Sequence, residues 1–395
     1  MNNKTINKIY TITFLLILII GFIKGNSYSE LTQVAQYLNQ RKNETETVSI
    51  ESLETEMSDQ VVLGKDSWIN INGKILDCLN LSAIYSDMGM YVTKEKNIIS
   101  LSQYTSTDYE YEQTMNLKQF LDDNGIKLLY VNEPTKYLDD DIFVKNFGVE
   151  TYSNRNADKF ISRLQSSGVD VVDLRENIKQ QGLDIEKMFY RTDHHWTTDT
   201  GLWAARIIAD SLNKYCGYHI DSSIYDDKNY SKTTWNNCWL GEQGRKYGET
   251  YVGLDDYTEI KPKFDTNYMF NTQNGQYVGT FDGFIDESVY NLNNNVYDNP
   301  SWHYSYRQIN CINNNVTEGK VLVLGDSYEQ VTEPFLSLGV HQVDSLILRD
   351  CDQSFDLKNY ILANGYDTVI ICYAQFMIGA HDDITSANYK MFSFN

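Results

Sequence analysis

A chain of 395 residues with 54 Asp and Glu against 33 Lys and Arg carries a formal charge of −21. So acidic a surface repels a phosphate backbone and offers no basic groove to follow one, which disfavours nucleic acid as a partner and argues against a strongly anionic polymer. Most of the acidity does no more than keep a surface protein in solution, and the length allows one large domain with insertions or two domains.

Lys4 and Lys8 flank an uncharged apolar run from Ile9 to Ile23. About fifteen residues suits a signal-peptide core better than a full span of roughly twenty. Yet Gly21-Phe22-Ile23-Lys24-Gly25-Asn26 presents neither an Ala-x-Ala cleavage site nor a lipobox cysteine. The expectation is an uncleaved single-pass anchor over residues 1–25, amino terminus in the cytoplasm, with the remainder outside the cell membrane. A cleaved signal peptide and a secreted protein is the alternative. No second long apolar run follows, which excludes a polytopic protein. Residues 26–60 are polar and acidic without a sustained apolar stripe, and read as a stalk.

From residue 61 onward the pattern is that of a folded α/β domain. Val61-Val62-Leu63 and Trp68-Ile69 around Gly64-Lys65-Asp66-Ser67 predict a β-hairpin. A helix over Asp108–Asp123 leads through Asn124-Gly125 into a strand over Ile126–Val131, and the unit repeats as a helix from Ala157 to Leu164 and a strand from Val169 to Leu174. Near the end come a strand over Lys320–Leu324, a helix over Glu329–Leu338, a strand over Ser345–Leu348, a helix over Leu357–Asn364 and a strand over Thr368–Tyr373. Short apolar strands alternating with helices predict a parallel sheet covered on both faces, with ligands beyond the carboxyl ends of its strands. Between about 216 and 315 the sequence turns rich in Asn, Tyr, Gly and Asp, and reads as a mostly β insertion, a candidate substrate wall.

Cys78, Cys216, Cys238, Cys311, Cys351 and Cys372 are scattered, with no Cys-x-x-Cys pair, so no metal or other cofactor is implied. Cys372 lies in an apolar run and reads as a buried thiol, while Cys216 and Cys238 are the nearest candidates for a disulfide outside the cell.

Two motifs carry chemistry. The strand ending at Leu324 delivers Gly325-Asp326-Ser327 to a helix amino terminus, where glycine permits a tight turn and the first N–H groups are unpaired and able to hold an oxyanion. Upstream, in Asp193-His194-His195-Trp196, a carboxylate two residues before a histidine can hold its Nδ1 and leave Nε2 for a nucleophile. Thr197 or Thr198 then caps a helix whose Trp203, Ala204, Ile207, Ile208 and Leu212 recur at core spacing, which fixes the turn. Ser327, His195 and Asp193 together supply the nucleophile, base and orienting acid of acyl transfer. A metal on Asp193, His194 and His195 is disfavoured, since adjacent histidines in one turn seldom converge on one ion.

The Asp-His-His-Trp motif followed later by Gly-Asp-Ser resembles the SGNH-hydrolase-like proteins of alginate O-acetylation, the AlgX and AlgJ group, and the related Gram-positive DHHW proteins. Val61–Trp68 and Trp239-Leu240-Gly241-Glu242-Gln243-Gly244-Arg245-Lys246-Tyr247-Gly248 are further matching pieces. The resemblance implies Ser327 as nucleophile, His195 as base and Asp193 as orienter, acting on a cell-surface polysaccharide, with a separate multi-pass membrane acyltransferase as partner. One departure is that the strand Thr368–Tyr373 ends in Tyr373-Ala374-Gln375-Phe376, without the Asn that ordinary SGNH enzymes use to hold the oxyanion. The oxyanion is then expected on the Ser327 backbone N–H with Tyr373, Gln375 or Arg349 nearby, and His194 is a further candidate for oxyanion or substrate. The expected activity is transfer of an acyl, foremost an acetyl, group to sugar hydroxyls. An acetylesterase of the same fold, or a non-catalytic polysaccharide-binding or assembly protein, are the alternatives.

Overall fold

A computed structural model describes residues 65–79, 81–82, 84–85, 89–272, 275–285, 309–352, 354–379 and 387–394. The expected anchor and stalk lie outside these residues. No helix among the described residues is long and apolar enough to cross a membrane.

Residues 61–64 of the expected hairpin lie outside the described residues, and over its remainder the chain forms helix α1, Lys65–Cys78. The Lys65-Asp66-Ser67 stretch opens the helix, and Trp68, Ile71, Ile75 and Leu76 recur at helical rather than alternating spacing. The compact unit from Leu76 to Asn395 carries everything that follows. It begins with a small antiparallel sheet, β1 Ile84–Tyr85, β2 Met90–Val92 and β3 Ile98–Ser100. Then come α2 Asp108–Asp123, β4 Lys127–Glu133, α3 Asp141–Phe147, α4 Ser153–Ser166, β5 Asp170–Asp173 and α5 Leu174–Gln181. Helix α6, Thr198–Ser211, follows the Asp-His-His-Trp turn and is capped by Thr197, whose hydroxyl accepts from the Thr200 N–H.

The segment expected to be mostly β holds β6 Tyr230–Trp239, the short helix α7 Glu249–Val252, and β7 Asp255–Pro262, which pairs antiparallel with β6. It continues with β8 Tyr268–Thr272, β9 Gly275–Gly279 and β10 Ile309–Asn313. The chain closes with β11 Lys320–Leu324, α8 Glu329–Leu336, β12 Gln342–Leu346, α9 Leu357–Asn364, β13 Thr368–Ala374 and α10 Ala387–Met391.

The main sheet has eight strands in the order β5-β4-β13-β11-β12-β10-β8-β9. The first five run parallel, but β10, β8 and β9 join antiparallel. The expected all-parallel sheet is therefore a mixed one, because strands of the Asn- and Tyr-rich segment extend it beyond β12.

Alternation along the central strands feeds two cores. Leu129, Val131, Val321, Val323, Ile370 and Cys372 face one side, where α6 and α8 pack. Leu128, Tyr130, Leu322, Leu324, Ile371 and Tyr373 face the other, against α2, α4 and α9. Both faces are thus dry, as parallel strands require.

On the first face, α6 meets α8 so closely that a Cβ on Gly201 would lie 2.8 Å from Val331 Cγ1 and 2.9 Å from the Val331 carbonyl oxygen. A missing side chain lets the helix after one motif lie against the helix after the other. Cys216, half-buried, and Cys238, buried, are not joined in a disulfide, so the candidate bridge between them is not formed.

Candidate active site

The two motifs meet beyond the carboxyl end of β11. Asp193 Oδ1 lies 2.6 Å from His195 Nδ1, and His195 Nε2 lies 2.8 Å from Ser327 Oγ, across 132 residues of sequence. An ionised carboxylate only accepts, so Nδ1 carries the proton and donates to Asp193, and the Nε2 lone pair is left to accept from the Ser327 hydroxyl. Asp193 is buried. Burial alone would push its pKa up, but the His195 side-chain hydrogen bond first, then the two neighbouring imidazoles and the His195 backbone N–H, hold the carboxyl below the usual range.

The turn bearing Asp193 is held by groups far away in sequence. Asp255, at the start of β7, accepts from the N–H of Arg191 at 2.9 Å, the N–H of Thr192 at 2.8 Å and the Thr192 hydroxyl at 2.5 Å. The loop after β6 closes the other side, where Gly241 N–H donates to Thr192 Oγ1 at 2.8 Å and Glu242 N–H donates to Asp193 Oδ2 at 3.0 Å. Both oxygens of Asp193 are thereby directed. A Cβ on Gly241 would fall 2.5 Å from Asp193 Cβ and 2.6 Å from the Thr192 carbonyl oxygen. Gly241→Ala is expected to shift Asp193 and lower kcat/KM on an activated acetyl ester about 100-fold, the usual penalty of an ångström-scale misplacement. Circular dichroism should stay native, since overpacking of this kind costs about 1–3 kcal/mol.

Trp196 is buried, its Nε1 donating to the Tyr328 carbonyl at 3.0 Å, and it packs on the Tyr328 ring. The Tyr328 hydroxyl returns a bond to the His194 carbonyl at 2.6 Å. The residues after each motif thus interlock crosswise. Asp326 accepts from Tyr328 N–H at 2.9 Å and Ala374 N–H at 2.8 Å, and so ties the Ser327 turn to the end of β13.

The four other candidates fare differently. His194 stacks on His195 with ring centroids 3.9 Å apart and stands 6.1 Å from the Phe376 ring. Burial first, then the charge of His195, lowers its pKa to about 4, so it is neutral at physiological pH. Arg349, in the turn after β12, keeps part of its side chain exposed, and its one ion pair among the described residues is a long 3.9 Å approach to Asp350. Its charge is felt by both Asp326 and His194. Tyr373 is not at the site: it is fully buried in the opposite core and its hydroxyl donates to the Met391 carbonyl at 2.6 Å. Gln375 is buried with its amide committed, donating to Ser153 Oγ at 2.8 Å and Asn154 Oδ1 at 3.3 Å and accepting from Asn132 at 3.4 Å. It braces the strand ends.

A cavity of about 270 Å³ opens beside His194, lined among others by Ser100, Lys136, Tyr137, Gln243 and Phe376. Sequence reasoning missed Lys136, which carries no local signature. Its ammonium donates to the carbonyls of Ile98 at 2.9 Å and Arg191 at 3.2 Å, and burial lowers its pKa to about 8. Asp193, His194 and His195 lie close enough to share a small ion. Both His195 nitrogens, however, are engaged, by Asp193 and by Ser327.

Residues 93–229 match the family model described as SGNH hydrolase-like domain, acetyltransferase AlgX. Among solved structures, PatB1 of Bacillus cereus with a sulfonyl adduct aligns over 78% of this chain and 97% of that one, at 20% identity and a TM-score of 0.59. A DHHW family protein from Eubacterium siraeum aligns over 78% of this chain and 96% of that one, at 15% identity and a TM-score of 0.57. At such identities the likeness is one of fold. No curated protein matches the sequence. The resemblance to the AlgX and DHHW proteins read from the motifs is borne out.

Proposed function

From a chain that carries an SGNH hydrolase-like domain of the AlgX type, we propose an acyltransferase, acetyl being the group carried, that acts on hydroxyls of a cell-surface polysaccharide from outside the membrane. The observation that carries this reading is the continuous relay from Asp193 through His195 to Ser327, at 2.6 and 2.8 Å. His195 takes the Ser327 proton as Oγ attacks the donor ester carbonyl, and Asp193 steadies the imidazolium that forms. The tetrahedral oxyanion rests on the Ser327 N–H at the start of α8, with Arg349 as the nearby cation. The donor alcohol leaves with the proton from His195. A sugar hydroxyl then gives its proton to His195 and attacks the acyl-serine, and its ester departs while Ser327 regains the proton. The cavity beside His194, with aromatic rings, hydroxyls and an amide in its walls, is suited to the acceptor.

The uncharged run Ile9–Ile23 supports an anchored, extracytoplasmic placement, and delivery of the acyl group by a multi-pass membrane partner follows from the same reading. The test is intact mass after incubation with an activated acetyl ester and an oligosaccharide panel. An acetyl adduct on Ser327 that passes to sugar is expected. An adduct lost only to water would make the protein an esterase, and a folded protein without any adduct would remove the catalytic reading.

A further inference from the structure

Beneath the nucleophile turn lies a cluster that the relay does not use. Glu133 ends β4 and pairs in register with Ala374. Glu329 opens α8, two residues after Ser327. Cys372 points from β13 into the same space. All three are buried, and one polar atom from each lies within 4.8 Å of the others. The Cys372 thiol donates to Glu329 Oε1 at 3.2 Å. Among the described residues the second Glu329 oxygen and both Glu133 oxygens meet no N–H or hydroxyl donor, and neither carboxyl forms an ion pair. The Glu329 stem passes so close under the turn that a Cβ on Gly325 would lie 2.6 Å from its Cγ. Among the described residues the titratable groups facing the pair are acids or neutral: Asp326 in the turn, Cys372 on β13, Tyr130 on β4, Tyr328 beside Ser327, and Glu333 one turn along α8.

Two bare carboxylates facing each other without a cation cannot both ionise in so dry a place. A proton between them gives two of the three orphaned oxygens a partner at once, one acid donating to the other. We propose that Glu133 and Glu329 share a proton as a carboxylic acid–carboxylate pair, a positioning device that pins the first turn of α8 to the end of β4 and holds Ser327 within reach of His195.

Burial first, then the charge of Glu329, pushes Glu133 well above the usual range, and burial raises Glu329 to about 7. Burial also holds Cys372, Tyr130 and Tyr328 well above their ordinary values, so none of these competes in the same window. For carboxyls whose folded pKa is raised, the stabilising effect is full below the unfolded value near 4.5 and is lost as pH rises through the folded one. The device therefore loosens on the alkaline side, when the last proton leaves and the two charges repel.

The test compares the full chain with Glu133→Gln and Glu329→Gln, by melting temperature and by the rate at which a fluorophosphonate labels Ser327, from pH 6 to 9.5. The wild type is expected to lose melting temperature and several-fold in labelling rate above pH 7.5, and each amide variant to lose less than half as much. Equal alkaline losses in all three would overturn the proposal. Should an amide fail to fold, the infrared carbonyl band of a protonated carboxylic acid in the wild type at pH 7 decides instead, its absence being fatal. Stoichiometric divalent metal in the purified protein would equally overturn the shared proton. Only the labelling arm rests on Ser327 as nucleophile. If Ser327 takes no probe, the proposed function fails while melting and infrared still decide the acid pair.

Discussion

Ser327→Ala is expected to abolish the acetyl adduct and to lower acetyl transfer by roughly 10⁴- to 10⁶-fold, and His195→Ala should do nearly the same. The magnitude follows from the division of labour. Oγ is the atom that would carry the acyl group, and its Nε2 contact at 2.8 Å is the route by which its proton leaves. Because the two act as one unit, the double variant is expected to be hardly worse than either single one, which sets it apart from two independent structural lesions. Intact mass and single-turnover rates on an activated acetyl ester, with melting curves to show that all three proteins fold, check the prediction. Additive losses would mean that the serine and histidine work separately.

The second large effect is expected from Asp193→Asn, a loss of about 10⁴-fold in kcat with KM little changed. The carboxylate accepts from His195 Nδ1 at 2.6 Å and from the His195 and Glu242 backbone N–H groups at 3.0 Å each. An amide has the same shape, but it can present an N–H to Nδ1, which moves the imidazole proton to Nε2 and blocks acceptance from Ser327. It also removes the negative charge opposite the imidazolium. A nearly normal KM with a collapsed kcat, read over a range of ester concentrations, is the expected signature, whereas a raised KM alone would make Asp193 a substrate-binding group.

The sequence showed most of what lies near each motif. Helices α2 and α9 and strand β11 fall where the periodicity put them, because each is bounded by a local stop: Asn124-Gly125 after α2, the Asp356 cap and left-handed Gly365 around α9, and Gly325 after β11. Strand β12 starts at Gln342, ahead of the apolar run that marked it. Gln342 and Asp344 look like loop residues until Tyr366 and the Cys311 N–H are seen bonding the buried Asp344 carboxylate, with Gln342 completing the set. Tyr373 was misplaced for a reason the sequence did contain. Alternation along β13 puts it opposite Cys372 and Ala374, on the face away from α8. By contrast nothing local announces Asp255, which orders the Asp193 turn from 63 residues downstream, or Lys136. Groups that act by holding backbone from a distance have no spacing to read.

Helix α6 approaches α8 only because Gly201 has no side chain. Each helix begins right behind one half of the relay, so helix girth sets the span between His195 and Ser327 together with the segments that hold each turn. Of the 132 residues that separate His195 from Ser327, those around Gly241 and Asp255 are tied to the Asp193 turn, while one methyl group at Gly201 would press on both helices at once. The crossing helices thus carry the spacing of the relay, as the loop after β6 and the start of β7 carry its aim.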